Sequence, residues 1–92
     1  MDITNIMFSL FGRPKPCDII TTLRDNESSW YLSKIAKTTK TTYVYVTKLI
    51  AKLEQRGVVT TVLEGKKRTV RLTEKGMTIA NSIQELKNNF EE

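Results

Sequence analysis

The hydrophobic pattern of this chain changes period at Gly57. Before it, in TYVYVTKLIAKLEQRG, Val46, Leu49, Ile50 and Leu53 recur at helical spacing. After it, VVTTVL and RTVRL are β-branched runs on either side of EGKK. A helix collects its apolar residues on one stripe, whereas a strand alternates them between two faces, so neither half suits the other's structure. The pattern predicts a helix capped by Thr41 or Thr42 and ended by Gly57, a position that favours left-handed backbone. A hairpin follows, with strands Val58–Leu63 and Arg68–Leu72 joined by the turn Glu64-Gly65-Lys66-Lys67. The rest of the chain must pack around this helix and hairpin.

What precedes them reads as further helices. Asp2 caps a short helix with Ile3, Ile6, Met7 and Leu10 at helical spacing, and Gly12 stops it. Pro14 and Pro16 then stiffen a turn. A second helix, Cys17 to Arg24, buries Ile19, Ile20 and Leu23 and ends in the turn residues Asp25-Asn26-Glu27-Ser28. A very short strand is expected at Trp30-Tyr31-Leu32. The third helix, Leu32 to Lys37, turns Leu32, Ile35 and Ala36 to the core, and Thr38-Thr39-Lys40 forms the turn before the fourth. Thr73 and Glu74 begin a last helix running to about Phe90. The expected fold class is mainly α (α+β), a winged helix-turn-helix. It has a three-helix core, a two-to-three-stranded β wing and a long C-terminal helix. The organisation is one domain over residues 1–92, with a short helix at 1–12, the winged-helix core at 17–72 and the C-terminal helix at 73–92.

Composition narrows the function. The 92 residues, 39% of them apolar, supply one modest core. No apolar run approaches the roughly 20 residues of a membrane span. Asp2 stands where a signal peptide needs positive charge, so a cytoplasmic location is expected. The chain has no histidine and a single cysteine, Cys17, which leaves no usual transition-metal site and no internal disulfide framework. Cys17 reads as a small apolar residue of a core helix. With no clustered carboxylates and no Gly-rich phosphate loop either, the chain offers no nucleophile–base constellation. Neither an enzyme nor a cofactor is expected.

Charge points elsewhere. The net charge is +5, but residues 34–71 carry ten Lys and Arg against Glu54 and Glu64, while the remainder is net acidic. Segregation of this kind marks a face that binds a polyanion. With Val46 at the centre of the buried side of the fourth helix, Thr41, Val44, Tyr45, Lys48 and Lys52 fall on the opposite side, and Tyr43 lies between the two. Such a helix suits the major groove of B-DNA. Lys40 and Thr42 sit at its entrance. The hairpin adds Lys66, Lys67 and Arg68 at its tip and Arg71 behind them, cations suited to the minor groove or flanking phosphates. A solvated polar helix face and an edge hairpin kept soluble by lysines are the plainer alternatives.

At LSKIAK, TYVYVTKLIAKLEQRGVV and VRLTEKG the chain resembles the MarR-like and ArsR-like winged-helix transcriptional regulators, over roughly residues 17–77. LFGRPKPCDIITTL is similar to the lead-in of small archaeal members. The chain lacks metal-binding Cys and His, is shorter than a typical MarR protein, and has a reduced N-terminal helix. The resemblance implies a sequence-specific double-stranded DNA-binding transcriptional regulator, a repressor, with its recognition helix at about 41–56 and its wing at 64–71. An effector ligand is left unassigned. Some of the apolar stripe Ile79, Ile83, Leu86 and Phe90, with Ile3, Ile6, Met7 and Leu10, is expected to join two copies in a homodimer that reads an inverted repeat; the plainer alternative is that the last helix folds back on its own domain. The competing reading is a winged-helix module for protein–protein contacts, or for sequence-indifferent binding in replication or chromosome architecture.

Overall fold

The computed structural model describes residues 14–25 and 29–91. The expected helix over residues 1–12 lies outside them. In chain order the elements are α1 (Pro14–Thr22), β1 (Trp30–Tyr31), α2 (Leu32–Thr39), α3 (Tyr43–Gln55), β2 (Val59–Glu64), β3 (Lys67–Leu72) and α4 (Glu74–Glu91). The strands form an antiparallel sheet in the order β1-β3-β2. No helix among the described residues is long and apolar enough to cross a membrane.

Helix α1 begins three residues earlier than its sequence suggests. Pro14 and Pro16 lie in its first turn rather than in a turn before it. The first turn leaves its N–H groups without helical partners, so proline gives up nothing there and its fixed φ favours the helix. Ile19, Ile20 and Leu23 are buried as expected, and so is Cys17. Burial pushes the Cys17 thiol above its ordinary value; the nearby Lys87 ammonium pulls it down and Asp18 adds to the rise.

Leu32, Ile35 and Ala36 turn inward on α2, which runs two residues past its expected end. Thr39 stays helical, its hydroxyl donating to the Ile35 carbonyl at 2.7 Å. The chain then reverses at Lys40, whose backbone takes the left-handed conformation at φ 57. Thr42 caps α3, its hydroxyl accepting from the Tyr45 N–H at 3.0 Å. Val46, Ile50 and Leu53 form the buried stripe, with Leu49 half-buried beside them. Gly57, at φ 76, carries the chain out of α3 into β2.

Helix α4 lies across α1. Lys87 pairs with Asp18 at 2.8 Å, and the Arg24 guanidinium donates to the Asn81 side chain at 2.9 Å. Its packing corrects one expectation. Ile79 and Ile83 are only 1% and 3% exposed, sealed within the chain's own core, and so are not available to a second copy. A stripe of that width on a helix of this length covers the open side of the three-helix core. Leu86 is half-buried. Ile3, Ile6, Met7 and Leu10 lie outside the described residues, as does the Phe90 side chain.

The start of α4 is bolted to the end of α3. Thr73 donates its N–H to the Val58 carbonyl at 3.0 Å and its hydroxyl to the Gly57 carbonyl at 2.6 Å, while that hydroxyl accepts from the Gly76 N–H at 3.0 Å. The Lys75 ammonium donates to the Arg56 carbonyl at 2.9 Å. Carbonyls left without partners at the C-terminus of α3 are thereby satisfied from TEKG, and the same hydroxyl caps α4. Helix α3 is held rigidly at both ends.

Candidate nucleic-acid interface

Two structural units carry the residues singled out by the sequence: the outward side of α3 and the β2–β3 hairpin. On α3, Tyr43 is 54% and Val44 60% exposed, and both lie in the first turn. Lys48 and Lys52 are exposed further along. Exposed Val and Tyr cost helix propensity and give water nothing in return, so packing or contact must account for them. Among the described residues no carboxylate pairs with Lys40, Lys48 or Lys52. The single acid of α3, Glu54, accepts from the Thr61 hydroxyl at 2.8 Å, which draws its charge toward β2. The rest of the helix surface is left cationic and apolar.

Two of the expected outward residues are placed differently. Tyr45 is half-buried and packs against the core, because one residue, about 100° of rotation, separates it from Val46. Thr41 precedes α3 and is half-buried, with its hydroxyl 3.0 Å from that of Thr39. Since the Thr39 proton goes to the Ile35 carbonyl, Thr41 is the donor of this pair. Its hydroxyl ties the turn between α2 and α3, and only its acceptor side remains open.

The structure also adds two residues that sequence reasoning missed. Thr47 and Ala51 are exposed on α3, one on each side of Lys48, and with Val44 they continue the same outer strip. The i, i+3, i+4, i+7 spacing from Val44 identifies them without coordinates. Thr47 donates its own proton to the Tyr43 carbonyl at 2.9 Å and so presents an acceptor and a methyl group. Ala51 has no side chain to hold a partner away.

The hairpin loop is shorter than expected, two residues rather than four. Gly65 at φ 62 comes first and Lys66 second, the arrangement of a type II′ turn. Lys67 therefore belongs to β3, and the pairing register sorts the wing's cations. Val59 with Leu72, Thr61 with Val70, and Leu63 with Arg68 share one face. Thr60 with Arg71, Val62 with Thr69, and Glu64 with Lys67 share the other. The first face is buried at its root, where Val59 and Val70 join the core, and at Thr61 it meets α3 through Glu54. Arg68 thus lies on the α3 side of the wing. Lys67 lies on the far side with Glu64 opposite it, and its ammonium sits 4.2 Å from the centre of the Tyr31 ring. Arg71 is exposed on that same far side. Lys66, Lys67 and Arg68, grouped together by sequence, do not act as one cluster.

No protein-family model matches the chain, and no curated protein matches it. Solved structures do. The AF1382 protein of Archaeoglobus fulgidus aligns over 94% of this chain and 98% of its own, with 28% identity and a TM-score of 0.83. The MarR family transcriptional regulator SPO1453 of Silicibacter pomeroyi aligns over 86% of this chain, with 26% identity and a TM-score of 0.74. This chain spans 57% of that regulator's length. The MepR protein of Staphylococcus aureus, in its complex with DNA, aligns over 87% of this chain and 68% of its own, at 15% identity and a TM-score of 0.74. Helix order, three-stranded sheet and neighbours agree: the chain has the winged helix-turn-helix fold of the MarR-like transcriptional regulators.

Proposed function

We propose that this protein is a sequence-specific double-stranded DNA-binding transcriptional regulator, acting as a repressor. Helix α3 enters the major groove and the β2–β3 wing rests on the adjacent minor groove or backbone. The observation that carries this reading is the outward strip of α3: Tyr43 and Val44 exposed at its start, followed by exposed Lys48 and Lys52, which meet no carboxylate among the described residues. Val44 and the Thr47 methyl suit a thymine methyl, and the Lys48 ammonium suits guanine acceptors or a phosphate. Tyr43 has the reach to place its hydroxyl on a phosphate, and Lys40 and Thr42 stand where the backbone enters. Lys66, Lys67, Arg68 and Arg71 supply the positive field of the wing. A protein of this same fold, MepR, is seen bound to DNA.

The protein acts as a homodimer in this reading, placing two α3 helices about 34 Å apart on an inverted repeat. With Ile79 and Ile83 sealed internally, the joining surface comes from Leu86, Phe90 and the N-terminal residues Ile3, Ile6, Met7 and Leu10. Gel filtration with light scattering at micromolar concentration is expected to give twice the chain mass of 10.6 kDa. A monomer at that concentration removes the dimer.

Titration against random duplexes, followed by in vitro selection, tests the whole reading. Enrichment of a palindrome is the expected result, and binding without enrichment favours a sequence-indifferent module. With about six phosphates engaged per site, log affinity should fall with log salt at a slope near −5. A flat salt dependence overturns the mechanism.

A further inference from the structure

Two large apolar side chains near the wing tip stand largely exposed: Val62 is 54% and Leu63 66% exposed. They are neighbours in β2 and so point to opposite faces of the hairpin. Single exposed apolar residues are common and by themselves require no explanation. What distinguishes Leu63 is its surroundings. It is paired across the hairpin with Arg68, on the face that two residues earlier touches α3 through Thr61 and Glu54. Val62 shares its face with Thr69, Glu64 and Lys67, where the cation is opposed by an acid and drawn over Tyr31.

We infer that the wing meets DNA with one face only, through the Leu63–Arg68 pair, Leu63 packing on sugars of the minor groove while Arg68 binds a phosphate of the same wall. The inference rests on the DNA-binding reading given above and names the side of the wing that performs it. Charge complementarity selects the occupant. The guanidinium on the Leu63 face has Leu63 and no acid as its cross-strand partner, and a sugar–phosphate wall offers an apolar ring beside an anion. On the far face Glu64 opposes a phosphate near the tip, and the exposed Arg71 stands four residues nearer the root. Leu63 then contributes an apolar contact, insensitive to salt, at the centre of an otherwise electrostatic element.

Fluorescence anisotropy with the selected duplex, over a salt series, separates the two faces in the full-length protein. The variants are Leu63→Ala, Val62→Ala, Arg68→Ala and Lys67→Ala. Losing a largely covered leucine side chain should weaken binding about tenfold at every salt concentration and leave the slope unchanged. Arg68→Ala should weaken binding about tenfold at low salt and lower the slope by about 1. Val62→Ala should stay within about twofold of wild type, because its face is turned from the duplex, and Lys67→Ala should lose only its share of the wing's positive field, a smaller loss than that of Arg68→Ala and one that fades as salt rises. All four side chains are exposed, so thermal melts should coincide with wild type, and Leu63→Gln, which keeps the length without the apolar surface, should repeat the Leu63→Ala loss. Equal losses on the two faces, or full affinity of Leu63→Ala, overturn the one-sided wing while leaving the DNA-binding reading intact. Wild-type protein that binds no duplex overturns that reading itself.

Discussion

Gly76→Ala is expected to destabilise the protein by about 3 kcal/mol or more, lowering the midpoint of a thermal melt by roughly 12–24 °C. A Cβ built at Gly76 lies 2.0 Å from the Val58 carbonyl oxygen and 3.1 Å from the Leu72 side chain. Two effects oppose this. Alanine is the better helix former by about 1 kcal/mol, and it also restricts the unfolded chain, worth about 0.4–1 kcal/mol. At an open helical site these gains would decide the sign. Here the obstacle is backbone rather than the end of a flexible side chain, and that carbonyl is fixed by the Thr73 N–H at 3.0 Å. Relief requires the start of α4 to move away from the end of α3, which breaks the Thr73 and Lys75 bonds joining them. A domain of this size has only about 5–14 kcal/mol of total stability, so the loss should be plain in urea or heat. Gly65→Ala meets open space and costs only the backbone strain of its φ of 62 at the first position of a type II′ turn, about 1–3 kcal/mol. A Gly76→Ala protein as stable as wild type would mean that α4 does not seat against α3 as described.

The same junction shows what the sequence can and cannot disclose. The change of hydrophobic period at Gly57 was enough to place α3 and the hairpin, because Val46, Ile50 and Leu53 are one stripe and Val70 alternates with Arg71. Thr42 was legible as a cap, since a hydroxyl one residue before a helix has one favourable task. Gly76 carries no such local signal: its glycine is demanded by a carbonyl eighteen positions earlier. Prolines 14 and 16 were ambiguous because a turn and a first helical turn tolerate them equally. Tyr45 belongs on the flank of α3 and not on its outer side, since it is only about 100° from Val46, and from the flank its ring packs against the core. Ile79 and Ile83 looked like an excess of apolar surface only while the gap beside α1 was unseen. With Lys67 assigned to the turn, its place in β3 and hence on the face opposite Arg68 stays hidden.

Lys48→Glu should abolish most sequence-specific binding, by more than about a hundredfold, with no change in the melt beyond about 0.5 kcal/mol. Lys48 is exposed near the middle of α3, two residues or about 200° from Val46, so its side chain leaves the helix opposite the core. Removing a base contact there costs about 1–3 kcal/mol, and an acid facing phosphates adds repulsion of about 1 kcal/mol in water-like surroundings. If two copies bind one operator, both losses occur twice. Random-sequence DNA, held mainly through phosphates, should lose only about tenfold. Lys48 is a cleaner probe than Tyr45, because truncating the half-buried Tyr45 ring disturbs packing and contact together. Lys87→Ala is the matched control. It removes a cation at the Asp18 pair on α4, away from α3, and should leave operator affinity unchanged at a stability cost below about 1 kcal/mol. Should Lys48→Glu and Lys87→Ala lose affinity alike, binding depends on net charge and not on the outward strip of α3. A charge that matters only at Lys48 ties recognition to the helix that Thr42 and Thr73 hold at its two ends.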